Sequence, residues 1–169
     1  SNYRGIPTDC PQRDERLGWL GDHATGAYGA SYIYDAHQLY AKWVRDITHT
    51  QRADSVVSDI APRYWSVYSD NVTWPMAWYT VAAMLDEQYG DSQPIREAYE
   101  PMKKFMLHLK NRYDDHGIIT RDVYGDWCLP PESPELIHSK DSTRITRGPV
   151  LATAAYYRLC RLMERFAGI

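Results

Sequence analysis

Between Pro75 and Leu85 the residues Met76, Ala77, Trp78, Tyr79, Val81, Ala82, Ala83 and Met84 put apolar side chains on every side of a helix. A helix tolerates this only when other elements enclose it. That segment therefore demands a fold in which one helix is surrounded by others. Pro75 suits a first helical turn and Gly90 a C-terminal stop. The segments around it have one apolar face each. From Asp35 to Gln51, Ala36, Leu39, Tyr40, Trp43, Val44 and Ile47 recur at helical spacing, with His37, Lys42, Arg45 and Asp46 opposite. After Ser92, the positions Ile95, Tyr99, Met102, Phe105, Met106 and Leu109 make a second stripe, with a kink expected at Pro101. Further helices are expected over Ala24 to Ala30 and Leu151 to Phe166. The one strand-like signal is a hairpin arm between Gly117 and Val123.

Exposed and enclosed helices in alternation predict an all-α fold of two concentric layers, an α/α toroid. Five helices do not close such a ring. Six helical hairpins need about twelve helices at the average length of roughly 11–12 residues. Residues 1–169 are thus expected to be the N-terminal part, about half, of a single toroidal domain whose enclosed faces require the remainder. The chain begins at Ser1 without a Met, as a fragment or processed segment would.

Charge narrows the partners. The 19 Lys and Arg nearly balance the 22 Asp and Glu, which leaves no basic face for nucleic acid and no polybasic membrane anchor. No apolar run approaches the ~20 residues of a membrane span, and no signal-peptide pattern opens the chain, which leaves the compartment open. Cys10, Cys128 and Cys160 lack metal-ligand spacing and read as free thiols. The aromatic residues are skewed, with 6 Trp and 14 Tyr against 2 Phe. Rings with a polar rim stack on sugar C–H faces while hydrogen-bonding sugar hydroxyls, although they also serve ordinary cores. By position, Trp43 and Trp78 belong to the core and Trp127, flanked by Gly125 and Asp126, to a loop that presents it. The histidines show no paired ligand spacing and read as surface or satisfied residues.

Two long segments without helical period, Ile6 to Asp22 and Tyr124 to Gly148, carry the chemistry; loops of this length are uncommon unless functional or disordered. The first holds Asp9-Cys10-Pro11-Gln12-Arg13-Asp14-Glu15-Arg16-Leu17-Gly18-Trp19-Leu20-Gly21-Asp22, with four carboxylates, two arginines and a tryptophan. Charge alone would fit a solvated loop. A hard cation could use Asp9, Asp14, Glu15 and Asp22, but no Gly-hinged calcium-type loop accompanies them, and no metal or cofactor is expected.

This string resembles the signature of the family 78 glycoside hydrolases, the bacterial α-L-rhamnosidases. Ser69-Asp70-Asn71-Val72-Thr73-Trp74-Pro75 is similar to the family's second active-site stretch and Tyr124-Gly125-Asp126-Trp127-Cys128 to its third. Leu151 to Tyr157 is similar to the next inner helix. The resemblance implies a six-hairpin toroid and hydrolysis of terminal α-L-rhamnosides with inversion. It makes Glu15 the catalytic acid. Asp9 and Asp22 would bind rhamnose hydroxyls with Arg13 and Asp14 beside them, and Trp19, Asp70, Trp74, Asp126 and Trp127 would line the sugar site. Two positions depart from the pattern. Asp14 and Glu15 stand together where some members have one Glu: counting from Asp9 selects Asp14, and counting back from Trp19 selects Glu15. Glu15 is preferred because its separation from Trp19 and Asp22 is kept. Tyr68 stands where many members have Trp, a ring that Trp74 could replace.

Inversion needs an acid and a base carboxylate roughly 6.5–9.5 Å apart. The family's base is a Glu in the second half of the toroid, and nothing here matches it; Glu132 and Glu135 read as loop carboxylates. The partners implied are rhamnose-containing glycosides and the rest of the same domain. A non-catalytic carbohydrate-binding module and a glycosidase for another sugar on the same toroid are the alternatives.

Overall fold

The computed structural model describes residue 3 and residues 5–9, 15–125 and 145–169. Its elements are α1 (Leu20–Ile33), α2 (His37–His49), α3 (Met76–Tyr89), α4 (Gln93–Tyr113), β1 (Asp114–Asp115), β2 (Ile118–Ile119) and α5 (Gly148–Phe166). No helix among the described residues is long and apolar enough to cross a membrane.

α3 is the centre. Every residue from Ala77 to Leu85 is buried, and Trp78 and Tyr79 have no exposed surface. α1 covers one flank of α3 and α5 the other, while α2 and α4 pack against it and against each other. The inner layer is therefore α1, α3 and α5, and the outer layer α2 and α4. This corrects the expectation that the enclosed helix needs the missing half of the ring: the chain itself encloses α3. The reason lies in α1, which buries Ala24, Ala27 and Ala30 beside Leu20. Side chains that small let it lie close along α3, whose larger residues fill the gap. Exposed apolar side chains include Tyr32, Ile33 and Tyr34 at the end of α1 and Val150 and Tyr157 of α5.

The inner helices run in one direction. Near their ends, the Tyr28 hydroxyl of α1 donates to Glu87 of α3 at 2.5 Å, and Arg165 of α5 donates to Asp86 and Glu87. Gly90 adopts φ 67° just past α3 and closes it, as its position suggested. α4 runs through Pro101, whose carbonyl accepts from Gln51 Nε2 at 2.9 Å. Two boundaries differ from the sequence expectation. The hairpin pairs Asp114 with Ile119 and Asp115 with Ile118, around a turn in which His116 and Gly117 both have positive φ, at 51° and 88°. That is the backbone of a tight hairpin turn, and the hairpin starts upstream of the expected Gly117 to Val123 arm and overlaps it only from Gly117 to Ile119. α1 also starts earlier than Ala24, so Asp22 lies in its first turn and not in the preceding loop.

Candidate functional site

Because α1, α3 and α5 are parallel, the segments that precede them meet at one end of the layers. The segment before α1 is a necked loop. Asp9 N–H donates to the Leu17 carbonyl at 2.9 Å, and Leu17 N–H donates back to Asp9 Oδ1 at 3.1 Å, with Asp9 only 5% exposed. Arg16 turns the chain at φ 46°, a region that non-glycine residues rarely occupy. Next to that turn the Trp19 indole N–H donates to Glu15 Oε1 at 2.6 Å.

Two motif glycines explain how this loop seats. Ala61 N–H donates to the Gly18 carbonyl at 2.9 Å, and a Cβ on Gly18 would stand 2.1 Å from the Ala61 oxygen. The same oxygen accepts from Trp43 Nε1 at 2.7 Å, which gives that core tryptophan its polar partner. A Cβ on Gly21 would stand 2.4 Å from the ring of Trp74. Trp74 thus lies against the first turn of α1, and the ring of Tyr124 stacks on it at 4.0 Å with 26° between planes.

Beneath these rings is Asp59, with no exposed surface. Its carboxylate accepts from Ser69 N–H at 3.0 Å, Asn71 Nδ2 at 2.9 Å and the Tyr124 hydroxyl at 3.1 Å. Burial pushes its carboxyl above the usual carboxylate range, against the opposing effect of these donors. Burial and the Asp59 charge push the Tyr124 hydroxyl up to about 12, so it remains a donor at neutral pH.

The other expected residues fall as follows. Asp22 is exposed at the start of α1, where the helix dipole favours a carboxylate. Asp70 has φ 53°, and its carboxylate accepts from Tyr113 at 2.5 Å and pairs with His108 at 2.9 Å, both on α4. It lies at the same end as Trp74, bound from the outer layer. Arg13, Asp14, Asp126 and Trp127 lie outside the described residues, as do Cys10, Cys128, Glu132, Glu135 and His138. A cleft of about 540 Å³ opens beside Glu15 and Arg16, walled by Ile6, Leu17, Pro62, Tyr64 and Trp65. Among the described residues no group of His, Cys, Asp or Glu could hold a metal ion. Sequence reasoning missed Asp59, although an Asp within the apolar run Val56-Val57-Ser58-Asp59-Ile60-Ala61 was a signal, since a carboxylate is rarely buried without partners.

The chain matches, over residues 1–169, the family described as the bacterial alpha-L-rhamnosidase 6 hairpin glycosidase domain. It is 33% identical to an alpha-L-rhamnosidase of Streptomyces avermitilis, with 98% of this chain and 15% of the relative aligned. With one from Formosa agariphila the identity is 32%, over 98% of this chain and 18% of the relative. Among solved structures, an alpha-L-rhamnosidase from Dictyoglumus thermophilum superposes with a TM-score of 0.86 at 36% identity, covering 99% of this chain and 18% of that one. The Streptomyces avermitilis alpha-L-rhamnosidase complexed with L-rhamnose gives 0.83 at 30% identity, covering 96% and 15%. The chain spans less than a fifth of the length of these relatives.

Proposed function

Because the chain belongs to the bacterial alpha-L-rhamnosidase six-hairpin glycosidase family, we propose that the protein containing it hydrolyses terminal α-L-rhamnosides with inversion, using Glu15 as the general acid. Residues 1–169 form one arc of the toroid, its N-terminal part, and the remainder supplies the base carboxylate. The observation that carries the reading is the Glu15 carboxylate, held by the Trp19 indole where the segments before α1 and α3 meet and bordering an open cleft. The indole fixes the direction of the carboxyl, which a proton donor to a glycosidic oxygen requires. Rhamnose lies among Trp19, Asp22 and Trp74, with Asp9, Arg13, Asp14, Asp70, Asp126 and Trp127 completing its surroundings. The leaving group extends into the cleft of Tyr64 and Trp65. No cofactor takes part.

Substitution at the acid tests this. Glu15→Gln keeps size and much of the hydrogen bonding but has no proton to give. Unactivated rhamnosides should lose ~10²–10⁴-fold in rate, the usual worth of general acid catalysis, and an activated aryl rhamnoside much less. Asp14→Asn should shift the pH profile and keep most of the maximal rate. The reverse pattern would make Asp14 the acid. Unchanged hydrolysis in both variants would sink the assignment of an acid to this motif.

A further inference from the structure

Trp74 is held from two directions, and both lead to one residue outside the three motifs. Its backbone N–H donates to Asn71 Oδ1 at 3.0 Å, and Asn71 Nδ2 donates to Asp59 at 2.9 Å. Its ring stacks at 4.0 Å on Tyr124, whose hydroxyl donates to Asp59 at 3.1 Å. The backbone of Asp59 extends the same frame: its carbonyl accepts from Leu20 N–H at the start of α1, and its N–H donates to the Val67 carbonyl, both at 2.9 Å. One buried residue thus bonds the first residue of α1 and the segments that precede α3 and α5.

We infer that Asp59 is the positioning residue of the sugar wall, fixing Trp74 by its main chain through Asn71 and by its ring through Tyr124. A single carboxylate can do this because its two oxygens offer about four acceptor sites and no donor. The Ser69 N–H and the Asn71 NH₂, one on each oxygen, can only donate, and the Tyr124 hydroxyl donates to it as well. An Asn in its place offers one acceptor oxygen and one NH₂, and the NH₂ must face a donor. That mismatch frees either the Asn71 arm or the Tyr124 arm and lets the Trp74 ring leave its seat on Gly21.

The role of Trp74 as a sugar wall rests on the proposed function, so the experiment reads the ring and the sugar separately. In the full-length protein, near-UV circular dichroism of Trp74→Phe identifies the band of the Trp74 and Tyr124 pair. Asp59→Asn should lose that band, and Tyr124→Phe should weaken it. L-rhamnose affinity, measured by calorimetry, should fall about tenfold in Asp59→Asn and a few-fold in Tyr124→Phe, the scale of one to two lost hydrogen bonds. If folded Asp59→Asn keeps both the band and the affinity, the inference is wrong. Should Asp59→Asn fail to fold, an unchanged band in Tyr124→Phe overturns it equally. A wild-type protein that binds no L-rhamnose would refute the proposed function, and the dichroism would still decide the role of Asp59.

Discussion

His23 shows how one residue can couple the scaffold to solution conditions. It is 4% exposed, its Nδ1 lies 3.1 Å from the Tyr40 hydroxyl, and its Nε2 has no partner among the described residues. The rings of Tyr3, Tyr40 and Trp43 surround it edge-on. Burial there lowers its pKa from 6.5 to about 4. Between those values the unfolded chain takes up a proton that the folded chain refuses. Stability is therefore at its full value above about 6.5 and falls as pH drops toward about 4, by on the order of 3 kcal/mol at most. Urea midpoints measured from pH 7.5 to 4.5 should show this slope, and His23→Gln, which can still meet the Tyr40 hydroxyl, should flatten it. An equal slope in both proteins would mean that other groups govern the acid limb. The position was read from sequence only as a surface or satisfied histidine; burial among the rings of Tyr3, Tyr40 and Trp43 is a product of packing.

At the scale of elements, the relation between α1 and α3 depends on what residue 21 lacks. The first turn of α1 meets Trp74 where a Cβ would stand 2.4 Å from the ring. Gly21→Ala must displace either the indole or the helix start, and overpacking of this kind costs typically ~1–3 kcal/mol. Alanine is also the better helix former by about 1 kcal/mol, so part of the cost is offset. The variant should stay folded with a modest loss in thermal midpoint, while L-rhamnose affinity in the full-length protein falls several-fold because Trp74 has moved. Loss of stability without loss of affinity would show that Trp74 does not face the sugar. At the far end of the same helices, Tyr28 and Arg165 both bond Glu87, so the inner layer is tied at both ends. Those long-range bonds have no local signature, whereas the helices themselves were evident from periodicity.

For the molecule as a whole, the centre is covered and apolar side chains stand exposed on the flanking helices. α3 is covered within the chain, but Val150 and Tyr157 stand 58% and 66% exposed on α5, and Tyr32 and Ile33 stand 75% and 71% exposed at the end of α1. Val150, Ala154 and Tyr157 fall at the spacing of one helix face, the place where a next hairpin of the ring would pack. The isolated 169-residue chain should fold its α3 core, self-associate through these side chains in light scattering, and give no turnover of an aryl α-L-rhamnoside. Turnover by a monomeric fragment would show that the base lies within residues 1–169.

The sequence alone determined the helical class, the enclosure of α3 and the segments that bear the motif, because periodicity and end signals are local properties of the chain. Glu15 and Trp19, four residues apart in it, are joined by a hydrogen bond. What it could not determine was which helices supply the enclosure, that Asp70 is bound from α4, or that Asp59 joins three segments. Those depend on side chains 12 to 65 residues apart meeting in one place, and a buried hydrogen bond between distant residues imposes no period on the sequence that contains them. Only the packing of parallel inner helices brings the donors to the one carboxylate.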